Sequence, residues 1–234
     1  MQIVTADDST FTMKKAFIFD LNGTIIDDMN FHVEAWSQLL NGELNASMDY
    51  NAVKAQMYGK NSELLIRVFG ADYFTDEQMQ DLSIKKETIY QAIYKPHLKL
   101  IDGLGNFLEQ AYQQGIPMAI GSAAIMFNIN FILDNLGLRK YFGALVSADH
   151  VATSKPDPET FIQAAEILGV HPDDCIVFED APKGVETARN AGMKVVVVLS
   201  SLHAESEFDG FGNIICFIKS YDEITPASLA NSRL

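Results

Sequence analysis

The chain has 234 residues with a hydrophobic content of 48%, which is enough for a sizeable core and excludes a disordered protein. Its 31 acidic and 17 basic residues give a formal charge of -14, and such an acidic field repels nucleic acid and anionic membranes. No stretch approaches ~20 consecutive apolar residues, as a membrane-spanning helix would require. We therefore expect neither nucleic acid nor a membrane as a partner.

The two cysteines, Cys175 and Cys216, both lie in apolar runs. This position favours buried thiols over a disulfide or a metal-binding pair. The opening MQIVTADDSTFT lacks the charged-then-apolar order of a signal peptide. Together these features predict a cytoplasmic protein in a reducing compartment.

The first regular segment begins at Met13, after residues 1–12 that we interpret as a loose leader. In MKKAFIFDLNGT, the run Ala16–Phe19 is typical of a short buried strand, and turn-forming residues follow it directly. Residues 28–95 then show apolar and charged residues at three- and four-residue spacing, with no clear strand pattern. We predict that residues 28–95 form a helical insertion.

After Pro96 the sequence alternates between short apolar runs and helical patterns. Strands are predicted in PMAIGS, ALVSAD, CIVFED and KVVVVLS, and helices over residues 105–114, in FNINFILDNLG, and over residues 158–168 and 184–191. Continuous apolar strands separated by helices are typical of a parallel sheet covered on both faces. We therefore predict an α/β fold whose sheet is formed by residues 13–27 and 96–225.

Polar residues follow four of these predicted strands, namely Asp20, Ser122, Lys155 and the pair Glu179 and Asp180. Because the carboxyl ends of parallel strands meet at one edge of a sheet, these side chains should converge. Converging carboxylates repel one another, and a divalent cation with oxygen ligands relieves that repulsion. Magnesium suits a phosphate site best. Lys155 would add a second positive charge, and Ser122 a hydroxyl donor for a phosphate oxygen.

Each of these residues also has a simpler interpretation. Asp20 could start an Asx-turn, Ser122 could cap a helix, Lys155 could be a solvated cation, and Glu179 and Asp180 could lie in an exposed loop. A short motif alone is weak support for a function. The occurrence of all of them, in order and at strand ends, favours a common site.

At this point the sequence closely resembles the haloacid dehalogenase superfamily, and within it the beta-phosphoglucomutase-like branch. The stretches that carry the resemblance are FIFDLNGTIID, AIGSAA, ATSKPDPETF and VFEDAPKGVETARNAGM. The segment FHVEAW, with His32 and Trp36, resembles the start of the helical cap in that branch. The resemblance implies a Rossmann-like core with a helical cap inserted after the first strand, over residues 28–95.

The resemblance also implies roles for the polar residues at the strand ends. Asp20 would be the nucleophile that becomes phosphorylated, and Ser122 and Lys155 would bind the transferring phosphoryl group. Mg²⁺ would be held by Asp20, the backbone carbonyl of Asn22, Glu179 and Asp180. The implied protein is a phosphatase or phosphoryl transferase for a small phosphorylated metabolite, working as a monomer or weak homo-oligomer. These roles agree with the chemistry of phosphoryl transfer, whose catalysis comes mainly from positioning and charge neutralisation.

Asn22 departs from the family pattern, which has a general acid-base aspartate at this position. An amide cannot transfer that proton, and general acid-base catalysis contributes typically ~10²–10⁴-fold. Three explanations are open: an engineered substitution, a natural phosphatase limited to substrates with good leaving groups, or a catalytically impaired protein that only binds phosphate. Asp28 and His32 are the nearby substitutes for the missing acid. In the simpler interpretation, His32 supports the segment that leads into the cap, and Asp28 caps the next helix.

The predicted cap contains further candidates for substrate binding. Gly59 and Lys60 match the glycine loop of the branch, where Ser62 replaces an arginine that binds a distant phosphate in the mutase, and Lys60 is the candidate to compensate. Lys86 matches a substrate-binding lysine, although a lysine on a helix face is more often solvated. The residues that follow Ser122, beginning with Ala123, are apolar. These features favour a phosphatase over a sugar phosphate mutase. His32 and Ala123 are further candidates for substrate binding.

Overall fold

A computed structural model describes residues 15–199 and 203–230 of the chain. The strands in this part are β1 (Ala16–Phe19), β2 (Met118–Gly121), β3 (Ala144–Val146), β4 (Cys175–Glu179), β5 (Lys194–Val198) and β6 (Ile214–Ile218). They form one parallel sheet in the order β3-β2-β1-β4-β5-β6. The predicted leader, residues 1–12, lies outside the described residues, as do the first two residues of the predicted core.

Five of these strands were predicted from the sequence, and β6 was not. This strand pairs with β5 alone, and four of its five residues are only partly buried. An edge strand of this kind lacks the continuous burial that marks the others. Cys216 lies on β6 and is only partly buried, so its predicted full burial is wrong, whereas Cys175 on β4 is buried and both thiols are free.

The chain reverses the direction of strand order at β1. It first adds β2 and then β3 on one side of β1, and then returns to place β4, β5 and β6 on the other side. In open parallel sheets, ligands bind outside the carboxyl ends of the strands at such a reversal. The topology therefore directs attention to the residues that follow β1 and β4.

Helices cover the sheet and form the insertion between β1 and β2. Their bounds are α1 (Met29–Gly42), α2 (Tyr50–Lys54), α3 (Asn61–Phe69), α4 (Asp76–Tyr94), α5 (Leu104–Gln113), α6 (Met126–Leu136), α7 (Glu159–Leu168), α8 (Pro182–Asn190) and α9 (Pro226–Ala230). The predicted helices of the sheet region agree with these bounds to within two residues. None of the described helices combines the length and apolar character needed to cross a membrane.

The sheet is buried on both faces, as the unbroken apolar runs predict. Phe17 and Phe19 of β1 belong to one hydrophobic cluster, and Ala16 and Ile18 belong to another. Successive side chains of a strand point to opposite faces, so β1 contributes to both cores. On one face Phe19 stacks on Phe178 with ring centroids 4.4 Å apart. The predicted α/β fold class with a parallel sheet is confirmed.

The insertion between β1 and α5 contains helices α1 to α4 and a hydrophobic cluster of its own. That cluster includes Val33, Trp36 and Leu39 of α1, together with Leu65 of α3. A separate cluster is what a helical unit apart from the sheet requires. The exact division of the chain at residues 28 and 95 stays a prediction.

Candidate active site

Three acidic side chains meet at the carboxyl edge of the sheet. Asp20 directly follows β1, Glu179 ends β4, and Asp180 comes next. Each is less than a tenth exposed, and a carboxylate oxygen of each lies within 4.8 Å of the others. The backbone N–H of Asp20 donates to the carbonyl of Phe178 at 2.9 Å, which fixes the end of β1 against β4. The predicted convergence of these three acids is therefore present.

Lys155 lies between two of the acids and links them. Its Nζ donates to Asp20 Oδ1 at 2.7 Å and to Glu179 Oε1 at 2.8 Å. Burial raises the pKa of Asp20 to about 6, with Glu179 adding to the rise and Lys155 opposing it. Burial alone would lower the pKa of Lys155, but the carboxylates of Asp20 and Glu179 outweigh it and raise that pKa. Lys155 is thus a charged, partly buried partner of both acids and not a solvated cation.

The position of Lys155 in the chain differs from the prediction. β3 ends at Val146, so Lys155 does not follow that strand directly. A loop intervenes, and Glu159 of α7 holds it by accepting hydrogen bonds from the backbone N–H groups of Ala152 (2.8 Å) and Thr153 (3.2 Å). The loop carries Lys155 back to the sheet edge, because the buried carboxylates there provide its ion-pair partners.

Two glycines leave room for the acids. A Cβ on Gly23, whose φ is +77°, would lie 1.9 Å from Asp180 Oδ2, and one on Gly184 would lie 1.7 Å from Glu179 Oε1. Glu179 also accepts a hydrogen bond from the backbone N–H of Ala181 at 2.6 Å. Any larger residue at either glycine position would displace a carboxylate of the site, which accounts for both glycines in the sequence.

The donor set fits a hard divalent cation. The carboxylates of Asp20, Glu179 and Asp180 converge at this edge, and Lys155 bridges the first two. Converging buried carboxylates repel one another, and a divalent cation relieves that repulsion. Carboxylate oxygens are the ligands that magnesium prefers. The residues present therefore satisfy the chemical requirement for a magnesium site.

Ser122 and the residues after it form a second part of the sheet edge. Ser122 is buried at the end of β2, and its Oγ accepts a hydrogen bond from the backbone N–H of Ala124 at 3.2 Å. Helix α6 begins only at Met126, and its N-cap residue is Ile125, so the interpretation of Ser122 as a helix cap is wrong. The Ser122 hydroxyl retains its proton for donation to a ligand.

A cavity of about 160 Å³ separates the sheet edge from the helices of the insertion. Eleven of the residues that the sequence analysis selected for a site line this cavity, whereas Asp28 is not among its lining residues. The eleven residues are Asp20, Asn22, His32, Gly59, Lys60, Lys86, Ser122, Ala123, Lys155, Glu179 and Asp180. The fold thus brings the candidates together, while their individual roles stay predictions.

Asn22 is hydrogen-bonded to residues at the start of the insertion. Its Nδ2 donates to Asp28 Oδ2 at 2.7 Å and lies 3.0 Å from His32 Nε2. The Tyr90 hydroxyl of α4 donates to the same Asp28 oxygen. The His32 and Tyr90 rings stack with centroids 3.8 Å apart. The position that departs from the family pattern is therefore anchored to the insertion.

Lys86 is buried, so the interpretation of it as a solvated lysine is wrong. It is 2% exposed, its Nζ lies 2.6 Å from His32 Nδ1, and it donates to Glu87 Oε1 at 2.9 Å. Asn61 also donates to Glu87 at 2.8 Å, and Asn128 of α6 donates to its second oxygen. Burial lowers the pKa of Lys86, with Glu87 opposing the shift. Burial alone would raise the pKa of Glu87, but Lys86, His32 and Asn61 lower it to about 2.

Lys60 contacts the protein itself, while its predicted role as a substitute for a phosphate-binding arginine stays a prediction. Its Nζ donates to the carbonyl of Val151 at 2.6 Å. Nearby, Ser154 Oγ donates to Glu63 Oε1 at 2.7 Å, and Glu63 Oε2 accepts from the backbone N–H of Lys60 at 3.0 Å. We call the contacts Lys60–Val151 and Glu63–Ser154 the clasp, because they join the insertion to the loop that carries Lys155.

Sequence reasoning missed several residues that line the cavity, among them Asn61, Glu87, Asn128 and Lys183. Lys183 of α8 lies over the ring of Tyr58, 3.7 Å from its centroid. The adjacent pair of opposite charges at positions 86 and 87, on a helix, was the one signal available in the sequence. The two asparagines carry no pattern that distinguishes them from surface residues.

Comparison with known proteins agrees with this architecture. The family model described as haloacid dehalogenase-like hydrolase matches residues 17–198. The chain is 34% identical over 184 residues to the fructose-1-phosphate phosphatase YqaB of Escherichia coli (strain K12), covering 77% of this chain and 94% of that protein. It is 33% identical over 189 residues to the beta-phosphoglucomutase of Bacillus subtilis (strain 168), covering 79% and 83%. A solved beta-phosphoglucomutase from Clostridium difficile has a TM-score of 0.79 at 24% identity, covering 93% and 96%, which establishes likeness of fold.

Proposed function

Because this chain belongs to the haloacid dehalogenase-like hydrolase family, we propose that it is a magnesium-dependent phosphatase for a small phosphorylated metabolite. The reaction proceeds through a phosphoaspartate at Asp20. The observation that carries the proposal is the buried Asp20, held by Lys155 beside Glu179 and Asp180 at the base of a covered cavity. Nucleophile, lysine and cation ligands are the parts that phosphoryl transfer through an aspartate requires.

The residues of the sheet edge divide the chemistry among them. Asp20 attacks phosphorus, while Lys155 keeps it ionised and neutralises charge on the transferring group. Ser122 donates a hydrogen bond to a phosphoryl oxygen. Asp20, the backbone carbonyl of Asn22, Glu179 and Asp180 hold Mg²⁺. When bound, the cation supplies further charge neutralisation at the phosphoryl group.

The helical insertion, residues 28–95, acts as a cap that covers the reacting phosphoryl group. The contact of Glu87 with Asn128 and the clasp join it to the sheet region at two places. Exclusion of water strengthens the interactions of the buried charges. We assign the substrate to small metabolites because the cavity is small and the chain is strongly acidic, which disfavours nucleic acid and membranes.

A phosphatase fits the cavity better than a mutase. A mutase must hold both phosphates of a bisphosphate, and the second phosphate needs free cations. Lys60 is bonded to the carbonyl of Val151, and Lys86 is paired with Glu87. The wall after Ser122 is formed by Ala123, Ala124 and Ile125, which offer no charged group. The second candidate, a sugar phosphate mutase, is favoured by the 33% identity to the Bacillus subtilis mutase.

The test is phosphate release from a panel of sugar phosphates, acyl phosphates, nucleotides and pyrophosphate, with and without Mg²⁺. We expect release from at least one monophosphate, dependence on Mg²⁺, and a labelled phosphoenzyme that Asp20→Asn abolishes. Conversion of a hexose 1-phosphate to its 6-phosphate, without release of phosphate, would favour the mutase. Binding of phosphate without any phosphoenzyme from any donor would favour a protein that only binds.

A further inference from the structure

Asp28 occupies the position where an aspartate usually caps a helix, but its side chain makes different contacts. It directly precedes α1, yet its carboxylate makes no capping hydrogen bond to the first turn. The residue is fully buried, and its Oδ2 accepts from Asn22 and Tyr90 and lies 3.3 Å from His32 Nε2. The expectation that Asp28 caps α1 is therefore wrong, and its burial calls for another explanation.

The contact with Asp28 determines how the Asn22 amide is oriented. The end of Asn22 that faces Asp28 is the nitrogen, because Nδ2 donates to Asp28 Oδ2 at 2.7 Å. The same nitrogen lies 3.0 Å from His32 Nε2. The amide nitrogen is thus directed at the insertion, and the carbonyl Oδ1 is the end of Asn22 left for a ligand in the cavity that it lines.

We propose that Asp28 is a positioning residue for Asn22, and that residues 22 and 28 work as one amide–carboxylate pair. Asp28 holds the amide nitrogen, so Asn22 accepts a hydrogen bond from the hydroxyl or water beside Asp20 and orients it without removing its proton. An aspartate at position 22 could not donate to Asp28, so residue 28 must become a hydrogen-bond donor before residue 22 can be held in place as a base. This inference rests on the proposed phosphoaspartate at Asp20.

The contact between residues 22 and 28 changes the result expected from Asn22→Asp, the substitution that restores the aspartate of the family pattern. Asn22→Asp would place a carboxylate oxygen about 2.7 Å from Asp28 Oδ2, where Nδ2 now lies. Two buried carboxylates at that distance repel each other, so the contact that holds residue 22 would be lost. Exchanging the two groups, as Asn22→Asp with Asp28→Asn, keeps one amide and one carboxylate in contact. It also moves the carboxylate from the buried position to the cavity.

The exchanged pair should accelerate hydrolysis of the phosphoenzyme. The oxygen of water attacks phosphorus, its proton passes to the carboxylate at position 22, and the bond from phosphorus to Asp20 breaks with its electron pair returning to Asp20. Inorganic phosphate leaves. A general base contributes typically ~10²–10⁴-fold, so the exchanged pair has at least about 100-fold to gain.

The experiment measures the decay of phospho-Asp20, formed from labelled acetyl phosphate with Mg²⁺, in four proteins. These are the wild type, Asn22→Asp, Asp28→Asn and the double variant. We expect Asn22→Asp to decay within about tenfold of the wild type, Asp28→Asn to decay no faster than it, and the double variant to decay at least ~100-fold faster. In this result, Asp28→Asn accelerates decay when residue 22 is Asp but not when residue 22 is Asn. A purely structural role for Asp28 would not produce that difference.

Two outcomes overturn the inference while the proposed function stands. In one, Asn22→Asp alone already decays at least ~100-fold faster than the wild type, and in the other, the double variant decays no faster than the wild type. If the double variant does not fold, as judged by its thermal unfolding midpoint, Asn22→Asp with Asp28→Ser replaces it, because a serine hydroxyl also donates to a carboxylate. Absence of a phosphoenzyme in all proteins overturns the proposed function and this inference with it.

Discussion

The two walls of the cavity satisfy their buried charges in different ways. The sheet wall contains Asp20, Lys155, Glu179 and Asp180, where three carboxylates converge and Lys155 bridges two of them. The helical wall contains the pair Lys86 and Glu87, whose charges balance. The Asn61 amide donates to the same Glu87 oxygen as Lys86, and the Asn128 amide donates to the other. The sheet wall therefore offers converging carboxylate ligands to a cation, whereas this part of the helical wall pairs its charges within the protein.

This difference assigns chemistry to one wall and support to the other. Converging carboxylates attract a cation, and that cation would attract an anionic substrate to the reacting groups. A balanced and fully hydrogen-bonded network is rigid and fixes the surrounding side chains. Substitutions on the sheet wall should then alter the rate of phosphoryl transfer, while substitutions on the helical wall should alter the stability of the protein.

The largest effect is expected from Lys155→Met on the sheet wall. The change removes the cation that contacts both Asp20 and Glu179, and leaves their charges unpaired in a buried site. We expect kcat for phosphate release to fall by at least ~10³-fold at saturating Mg²⁺. Lys183→Met is the matched control, because Lys183 also lines the cavity but lies over the Tyr58 ring. Equal kcat values for the two variants would contradict the division between the walls.

A smaller effect, on stability, is expected from Lys86→Met on the helical wall. This change leaves the buried Glu87 without its ion-pair partner, and breaking a buried pair costs about 3 kcal/mol of unfolding free energy or more. The double change Lys86→Met with Glu87→Gln should cost less, because no unpaired charge remains. Urea unfolding measures both values.

Lys85→Met provides the control for this experiment. Lys85 is the neighbouring residue on α4, and its ion pair with Glu43 is exposed, so its loss should cost less than about 1 kcal/mol. If the double variant is as unstable as Lys86→Met, the cost does not arise from an unpaired charge. The balance that distinguishes the helical wall would then be irrelevant to stability.

The sequence predicted the sheet wall more completely than the helical wall, for a physical reason. Asp20, Ser122, Glu179 and Asp180 lie at the ends of apolar strands, and parallel strands bring such ends together whatever the loops do. Only Lys155 reaches the edge through a longer loop. Strand pattern alone was therefore enough to predict most of this wall.

The contacts of the helical wall join residues that are far apart in sequence. Glu87 meets Asn61 of α3 and Asn128 of α6, and these contacts depend on how the helices are placed. An amphipathic pattern predicts which face of a helix is buried, but not which side chain lies opposite. For the same reason, the burial of Asp28 could not be predicted, since its position before α1 is typical of a capping residue.

The smallest effect is expected from Ser154→Ala, which tests whether the clasp or the helical wall holds the insertion over the cavity. The change removes the hydrogen bond from Ser154 to Glu63 but leaves Glu63 bonded to the backbone of Lys60. The bond of Lys60 to Val151 and the contact of Glu87 with Asn128 also remain. One hydrogen bond to a charged acceptor contributes about 1.5–3 kcal/mol, and less where water can replace it, as at this part-buried site.

We therefore expect KM to rise by less than about tenfold with kcat unchanged, because covering the cavity contributes to binding and the reacting groups keep their contacts. Ser37→Ala is the matched control, since the Ser37 hydroxyl donates to the Val33 carbonyl within α1 and touches no part of the clasp. A large fall in kcat for Ser154→Ala would mean that the clasp positions Lys155, its neighbour in the chain. The insertion would then act directly on the sheet wall, and the two walls could not be treated as independent.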